Sequence, residues 1–151
     1  MDILTRADRR KRMQSVRQKG TKPELIVRSA LHRIGFRFRV NVVDLPGRPD
    51  IVLPRHRAVI FVNGCFWHGH DCRAGRLPTS NGAFWSEKIA GNMERDARKA
   101  RALRRLGWRV VSVWECKIRP PRLDQTIRRV ARVLSKGTLH EHRDATTSRG
   151  R

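Results

Sequence analysis

Three cysteines and one histidine constrain this chain more than any other feature. Cys65, His70 and Cys72 lie in one short stretch, and Cys116 follows a run of alternating apolar residues far downstream. Three thiols and an imidazole make the closed tetrahedral donor set of structural zinc, which would tie a loop to the end of a strand. The spacing is not that of a common zinc finger. A second reading stands beside it: cysteine is often simply buried, so Cys116 can be a core residue and Cys65 and Cys72 bystanders. His68 competes with His70, because at i, i+2 it can replace that residue as a ligand but not easily join it. The N-terminus, Met1 to Met13, is charged but has no apolar stretch after it, so it does not read as a secretion signal. A cytoplasmic chain is expected, and there thiols bind metal or stay free.

Charge narrows the partner. The 151 residues fit one domain and include 35 Lys and Arg against 13 Asp and Glu, a formal net charge of +22. The basic residues run through the whole chain, so a polyanion is required. Nucleic acid leads, since each neutralised phosphate releases counterions. An anionic membrane is the competitor. However, no apolar run approaches the ~20 residues of a spanning helix, and the longest, Ala58 to Val62, reads as a buried strand.

The order of elements follows from periodicity. Residues 1–20 form a polar, basic arm with a short helix from Asp8 to Val16. Thr21-Lys-Pro-Glu24 is a capping box. Val27, Ala30, Leu31 and Ile34 then face inward until Gly35 ends the helix. Phe36, Phe38, Val40 and Val42 alternate as a strand, Leu45 to Pro49 turns, and Ile51–Leu53 and Ala58–Asn63 are strands. Gly64 to Gly82 is irregular. A helix from about Ala83 to Leu106 turns Ile89, Met93, Ala100 and Leu103 inward, and Trp108 to Trp114 is a strand whose tryptophans are core. The last helix buries Leu123, Ile127, Val130 and Leu134 and exposes Arg128, Arg129 and Arg132. Residues 21–136 thus make one α/β domain, a mixed sheet flanked by helices, and 137–151 read as a polar, disordered tail.

Asp50 opens the Ile51–Leu53 strand after a basic turn. Magnesium prefers oxygen and is held by one or two carboxylates plus substrate phosphates. A Pro-Asp at a strand start, before a hairpin-linked buried strand, is how many metal-dependent nucleases present their first ligand. The following strand in such enzymes usually supplies an acid and a lysine, whereas this one ends Phe61-Val-Asn-Gly64. The plainer reading of Asp50 is a turn residue capping Arg48. Glu24 is a helix cap first, though a first-turn Glu can cap and still face a metal. Phe66 and Trp67, with Trp85 at the helix start, suit insertion between DNA base steps, although a single Trp is more often core.

Several long motifs in register resemble the very short patch repair (Vsr) endonucleases. They are Leu45-Pro-Gly-Arg-Pro-Asp50, Val62 to Cys72, Phe84-Trp85 with Lys88, Ile89, Asn92, Arg95 and Asp96, and Gly107-Trp-Arg-Val110 through Trp114-Glu-Cys116. The resemblance spans Thr21 to Cys116 and implies a fold like type II restriction endonucleases. It implies Asp50 and the Val62 backbone carbonyl as magnesium ligands, His68 as the imidazole assisting the attacking water, and Glu24 as a carboxylate holding waters at the metal. It also implies Cys65, His70, Cys72 and Cys116 as structural zinc ligands, and Phe66, Trp67 and Trp85 as an aromatic wedge. Asn63 stands where the best-known form of the family has a second histidine; an amide cannot titrate near neutral pH, which leaves Asn63 an orienting role.

The activity implied is a Mg2+-dependent nick 5′ to the thymine of a T·G mismatch, the product of 5-methylcytosine deamination, in double-stranded DNA. The implied setting is a monomer associated with the bacterial nucleoid, linked to a DNA cytosine methyltransferase and to mismatch-repair proteins. Two rivals are a zinc-stapled DNA-binding module without catalysis and a sequence-specific restriction enzyme on the same fold.

Overall fold

The capping box does start a helix, though it closes differently from the usual form. The computed structural model describes residues 20–146, with side chains described to residue 136. The basic arm at 1–19, with the helix expected from Asp8 to Val16, lies outside the described residues, as do residues 147–151. Thr21 Oγ1 accepts the Glu24 N–H at 3.4 Å, and the Thr21 carbonyl accepts that of Leu25 at 3.0 Å, starting α1 (Lys22–Arg33). Pro23 fits the first turn, where its missing N–H has no intrahelical partner to lose. The Glu24 carboxylate reaches past Thr21 to accept the Gly20 N–H at 3.0 Å. Val27 and Leu31 are buried, each burial contributing about 1.5–3 kcal/mol. Ile34, expected on the same stripe, is exposed because it is the C-cap, where the chain has left the helical face.

The segment after α1 keeps its alternation but not its ladder. Phe36, Phe38, Val40 and Val42 are half-buried while Arg37, Arg39 and Asn41 are exposed. Only Arg39 pairs, exchanging hydrogen bonds of 2.8 and 2.9 Å with Val52. Asn41 takes φ 56, a left-handed conformation that turns the chain off the sheet after one pair.

The sheet has three strands among the described residues, β1 (Ile51–Leu53), β2 (Ala58–Asn63) and β3 (Arg109–Trp114), in that spatial order. β1 and β2 are antiparallel around a tight Pro54–His56 turn, with Val52 opposite Val59. β2 and β3 are parallel, with Ile60 opposite Val111. A parallel pair needs a long crossover, and α2 (Gly82–Arg105) lies within it. The last helix, α3 (Leu123–Thr146), runs past Gly137, where the sequence ends it; a glycine costs a helix only about 1 kcal/mol relative to alanine and does not by itself stop one.

Helices cover both faces. Ile51, Leu53, Ile60, Val62, Val111 and Val113 pack with Val27 and Leu31 of α1 and Ile127, Val130 and Leu134 of α3. On the other face Val52 and Val59 pack with Leu103 of α2, with Val42, Leu45 and Trp108 around them. Met93, expected inward, is exposed toward the loop after β2. The result is the mixed α/β sheet the periodicity predicts. Among the described residues no helix is long and apolar enough to cross a membrane.

Candidate functional site

The ends of β1 and β2, the start of α1 and one face of α2 enclose a cleft of about 640 Å3. Two carboxylates meet on its wall. Asp50 sits at the lip of β1, where its Oδ2 accepts the Val62 N–H at 2.7 Å, so the side chain finishes the ladder between β1 and β2. Glu24 is only 2% exposed and also accepts from Arg28 Nη2 at 3.2 Å. Burial pushes the Glu24 carboxyl above the usual carboxylate range, and the neighbouring Asp50 charge adds to that rise. Two acids held together, with one reluctant to ionise, make an all-oxygen donor set suited to a hard cation. The Val62 carbonyl belongs to the same strand end, and Val62 and Asn63 both line the cleft.

An imidazole faces the acids from the loop after β2. His68 Nδ1 lies 2.5 Å from Asp96 Oδ2, so the carboxylate of α2 holds one ring nitrogen of a residue that lines the cleft. Asn92, one turn earlier on α2, donates Nδ2–H to the Trp67 carbonyl at 2.9 Å and ties the same loop down. Gly69 permits the close approach: at φ 65 a side chain there would be strained, and its Cβ would strike Met93 and Ile89. Asp96 and Asn92 sit in the Phe84–Asp96 motif, but periodicity alone gave them no task. The only signal was a carboxylate and an amide at i, i+4 on the face that also carries Ile89, Ala100 and Leu103, where helical spacing calls for apolar residues.

Behind the loop, the sulfur and nitrogen atoms of Cys65, His70, Cys72 and Cys116 lie within 4.8 Å of one another. This group can hold a metal ion, and His70 rather than His68 belongs to it. Cys116 donates its N–H to Cys65 Sγ at 3.4 Å, and its own Sγ lies 3.6 Å from His70 Nδ1. Burial pushes the Cys65 thiol up to about 12, while a hydrogen bond from His70 lowers that of Cys72 to about 7. A buried thiolate needs a cation beside it, and three thiols with one imidazole are the donors zinc favours. Trp114, expected to be core, is half-buried and stacks on His70 with ring centroids 4.2 Å apart. Trp108 is likewise half-buried, beneath the Arg57 guanidinium at 4.7 Å.

The aromatic residues form one cluster. Phe66 packs edge-on against Trp67 and Trp85, with centroids 5.0 and 5.3 Å apart. Phe66 and Trp67 are half-buried, whereas Trp85 is 8% exposed and supports them from below. Phe84, 45% exposed and edge-on to Trp85, is the outermost ring, and sequence reasoning gave it no role.

A carboxylate-lined cleft on a mixed α/β sheet, beside a group of three thiols and an imidazole that can hold a metal, is the frame of a nuclease, and similarity to known proteins gives its family. Residues 1–74 match the family described as DNA mismatch endonuclease Vsr. The chain is 56% identical over 117 residues to the type II nicking enzyme V.XorIIP of Xanthomonas oryzae pv. oryzae, covering 78% of this chain and 86% of that one. It is 45% identical over 118 residues to DNA mismatch endonuclease Vsr of Escherichia coli, covering 78% and 76%. The type II nicking enzyme V.NmeAIP of Neisseria meningitidis is also 45% identical, with 78% and 84% covered. The chain is an endonuclease and belongs to the Vsr family.

Proposed function

We propose that this enzyme nicks double-stranded DNA 5′ to the thymine of a T·G mismatch. The observation that carries the reading is that one cleft is lined by the Asp50–Glu24 acids and by the His68–Asp96 pair together, with Trp67 of the aromatic cluster also in its lining.

The Nδ1–H of His68 donates to Asp96, which holds the tautomer whose Nε2 is basic. Nε2 takes one proton from the attacking water as the water oxygen bonds to phosphorus and the bond from phosphorus to the leaving sugar oxygen breaks, and that oxygen picks up a proton from solvent. Asp50 and the Val62 carbonyl would hold magnesium, with Glu24 beside them; the ion, when bound, supplies positive charge against the phosphate as negative charge develops. Asn63, buried in the cleft wall, orients water through its amide and, having no titrating proton near neutral pH, transfers none. Cys65, His70, Cys72 and Cys116 would hold zinc, which staples the His68 loop to the end of β3. Phe66 and Trp67, backed by Trp85, open the duplex at the weakened pair; unstacking costs a few kcal/mol per step and is least at a mismatch. Residue 85 stiffens this wedge from beneath. The +22 charge supplies affinity for any duplex, so the wedge and cleft must supply the discrimination.

Deaminated 5-methylcytosine opposite G is the lesion that fits, which links the enzyme to a DNA cytosine methyltransferase and to mismatch-repair proteins. A monomer acting in the cytoplasm, on nucleoid DNA, completes the reading. The test is a panel of matched, T·G and A·C duplexes labelled on each strand and incubated with and without Mg2+. A single nick in the T strand of the T·G duplex, dependent on Mg2+, is the expected product. Double-strand cleavage of matched DNA would mean a restriction enzyme, and binding without any nick would mean a DNA-binding module.

A further inference from the structure

β2, which forms one wall of the cleft, carries no charged side chain from Ala58 to Asn63. The positive charge facing a bound phosphate must therefore come from another element. Four basic side chains line the cleft: Arg48, Lys88, Arg95 and Lys99. Three of them are exposed, and Arg95 is turned onto Asn92 Oδ1 of its own helix. Lys99 differs in its surroundings. It is half-buried, lies one turn beyond Asp96 on α2, and its stem runs against the turn that leads into Asp50.

That contact is tight. A Cβ placed on Gly47 would lie 2.7 Å from Lys99 Cγ and 2.8 Å from its Cβ and Cδ, so only a residue without a side chain lets the lysine pass. Gly47 also takes φ 75, which disfavours any other residue there. The backbone of the Leu45–Pro49 turn thus guides the aliphatic stem, and a lysine with its stem confined loses less freedom when its ammonium binds. Carboxylates line the same cleft, yet among the described residues none makes an ion pair with Lys99; Asp96, its neighbour on the helix, is engaged by His68.

We propose that Lys99 is a substrate-binding residue of the cleft, its ammonium contacting a backbone phosphate of the DNA strand to be cut. This rests on the endonuclease reading of the cleft but goes beyond it, since it assigns the charge that β2 lacks to a specific side chain on α2. The contact reads phosphate and not sequence, so its loss weakens every duplex alike.

The test compares Lys99→Met, which keeps the stem against Gly47, with Lys99→Arg, which restores the charge. Binding of a fluorescent T·G duplex and of its matched counterpart is titrated from 50 to ~250 mM salt with Ca2+ in place of Mg2+, and nicking is followed with Mg2+. Lys99→Met is expected to bind both duplexes roughly tenfold more weakly. It should also lower the slope of log affinity against log salt by about 0.9, the value for one lost phosphate contact. In nicking, KM should rise more than kcat falls, and Lys99→Arg should recover most of the slope. An unchanged slope with unchanged melting temperature overturns the proposal, as does a loss confined to the T·G duplex. The two readings fail separately: wild-type protein that never nicks the T·G duplex sinks the mismatch reading, while the salt slope still tests the phosphate contact.

Discussion

The protein contains two donor clusters of opposite character within reach of one loop. The soft cluster takes Cys65, His70 and Cys72 from that loop and Cys116 from just beyond β3. The hard cluster brings Glu24 from the first turn of α1 and Asp50 from the lip of β1 to the end of β2, where Val62 is the proposed third donor. Sulfur ligands build their site largely by local chain folding, whereas the oxygen site exists only where three elements meet. In the proposed function the first is a part of the architecture and the second a part of the chemistry. His68 lies between Cys65 and His70 in the chain, so in the proposed mechanism the soft site positions a group that serves the hard one.

The sharpest break between them comes from removing the soft site. Cys65→Ala, or extraction of the metal by a strong chelator, should abolish nicking and lower the melting temperature by about 10 °C or more, because structural zinc contributes folding free energy directly. Calorimetry with a zinc assay on the recovered protein checks it, and an active variant that melts normally would reduce the cluster to buried thiols. Removing the hard site should separate chemistry from stability instead. Asp50→Asn is expected to lower the nicking rate by about 10³-fold or more, as several kcal/mol of transition-state stabilisation disappear, while duplex affinity and melting temperature stay near wild type. Retained activity would refute its assignment.

A smaller effect tests the link between the two clusters. Asp96→Asn leaves His68 in place but takes away the partner that sets its tautomer, so single-turnover nicking should fall by about 10²-fold. Zinc content and DNA affinity should not move; a shift in either would make Asp96 a structural residue of the loop. The smallest effect is thermodynamic and has a sign. Glu24 has its folded-state pKa raised, chiefly by burial and then by Asp50. Its contribution to stability is therefore complete at low pH and is lost as the pH rises through that raised value. In zinc-containing, magnesium-free buffer the melting temperature should fall as pH climbs above the usual carboxylate range, and added Mg2+ should reverse the fall. Glu24→Gln should flatten the pH profile and raise the neutral-pH melting temperature by about 2–4 °C, the equivalent of about 1 kcal/mol. A steeper profile in the variant would contradict the raised carboxyl.

The soft cluster was the more legible of the two, and even there only in part. Residue type exposed Cys65, Cys72 and Cys116, but the choice between His70 and His68 needed either a family resemblance or coordinates. Of the hard cluster, Asp50 stood out only because a known pattern places a carboxylate at a strand start, and Glu24 looked like an ordinary cap. Trp114 was read as core, whereas it stacks on His70, since alternation reports that a side chain faces inward but not what it meets there. Met93 was read inward from helical spacing, yet it lies exposed over Gly69, where the loop comes close enough to need a glycine.

By itself the sequence determined what acts over short separations: the start of α1 at Thr21, the alternation through Phe36 to Val42, the strands, the inner stripe of α3 and the sulfur donors of the loop. Hydrogen-bonded turns and apolar periodicity are local properties, and they survive almost any tertiary arrangement. Only the folded structure decided that Asn41 would end the edge pairing, that Asp96 would hold His68, and that Lys99 would pass Gly47 and line the cleft. Those outcomes depend on distances between segments far apart in the chain, and such distances are set by packing on both faces of the sheet.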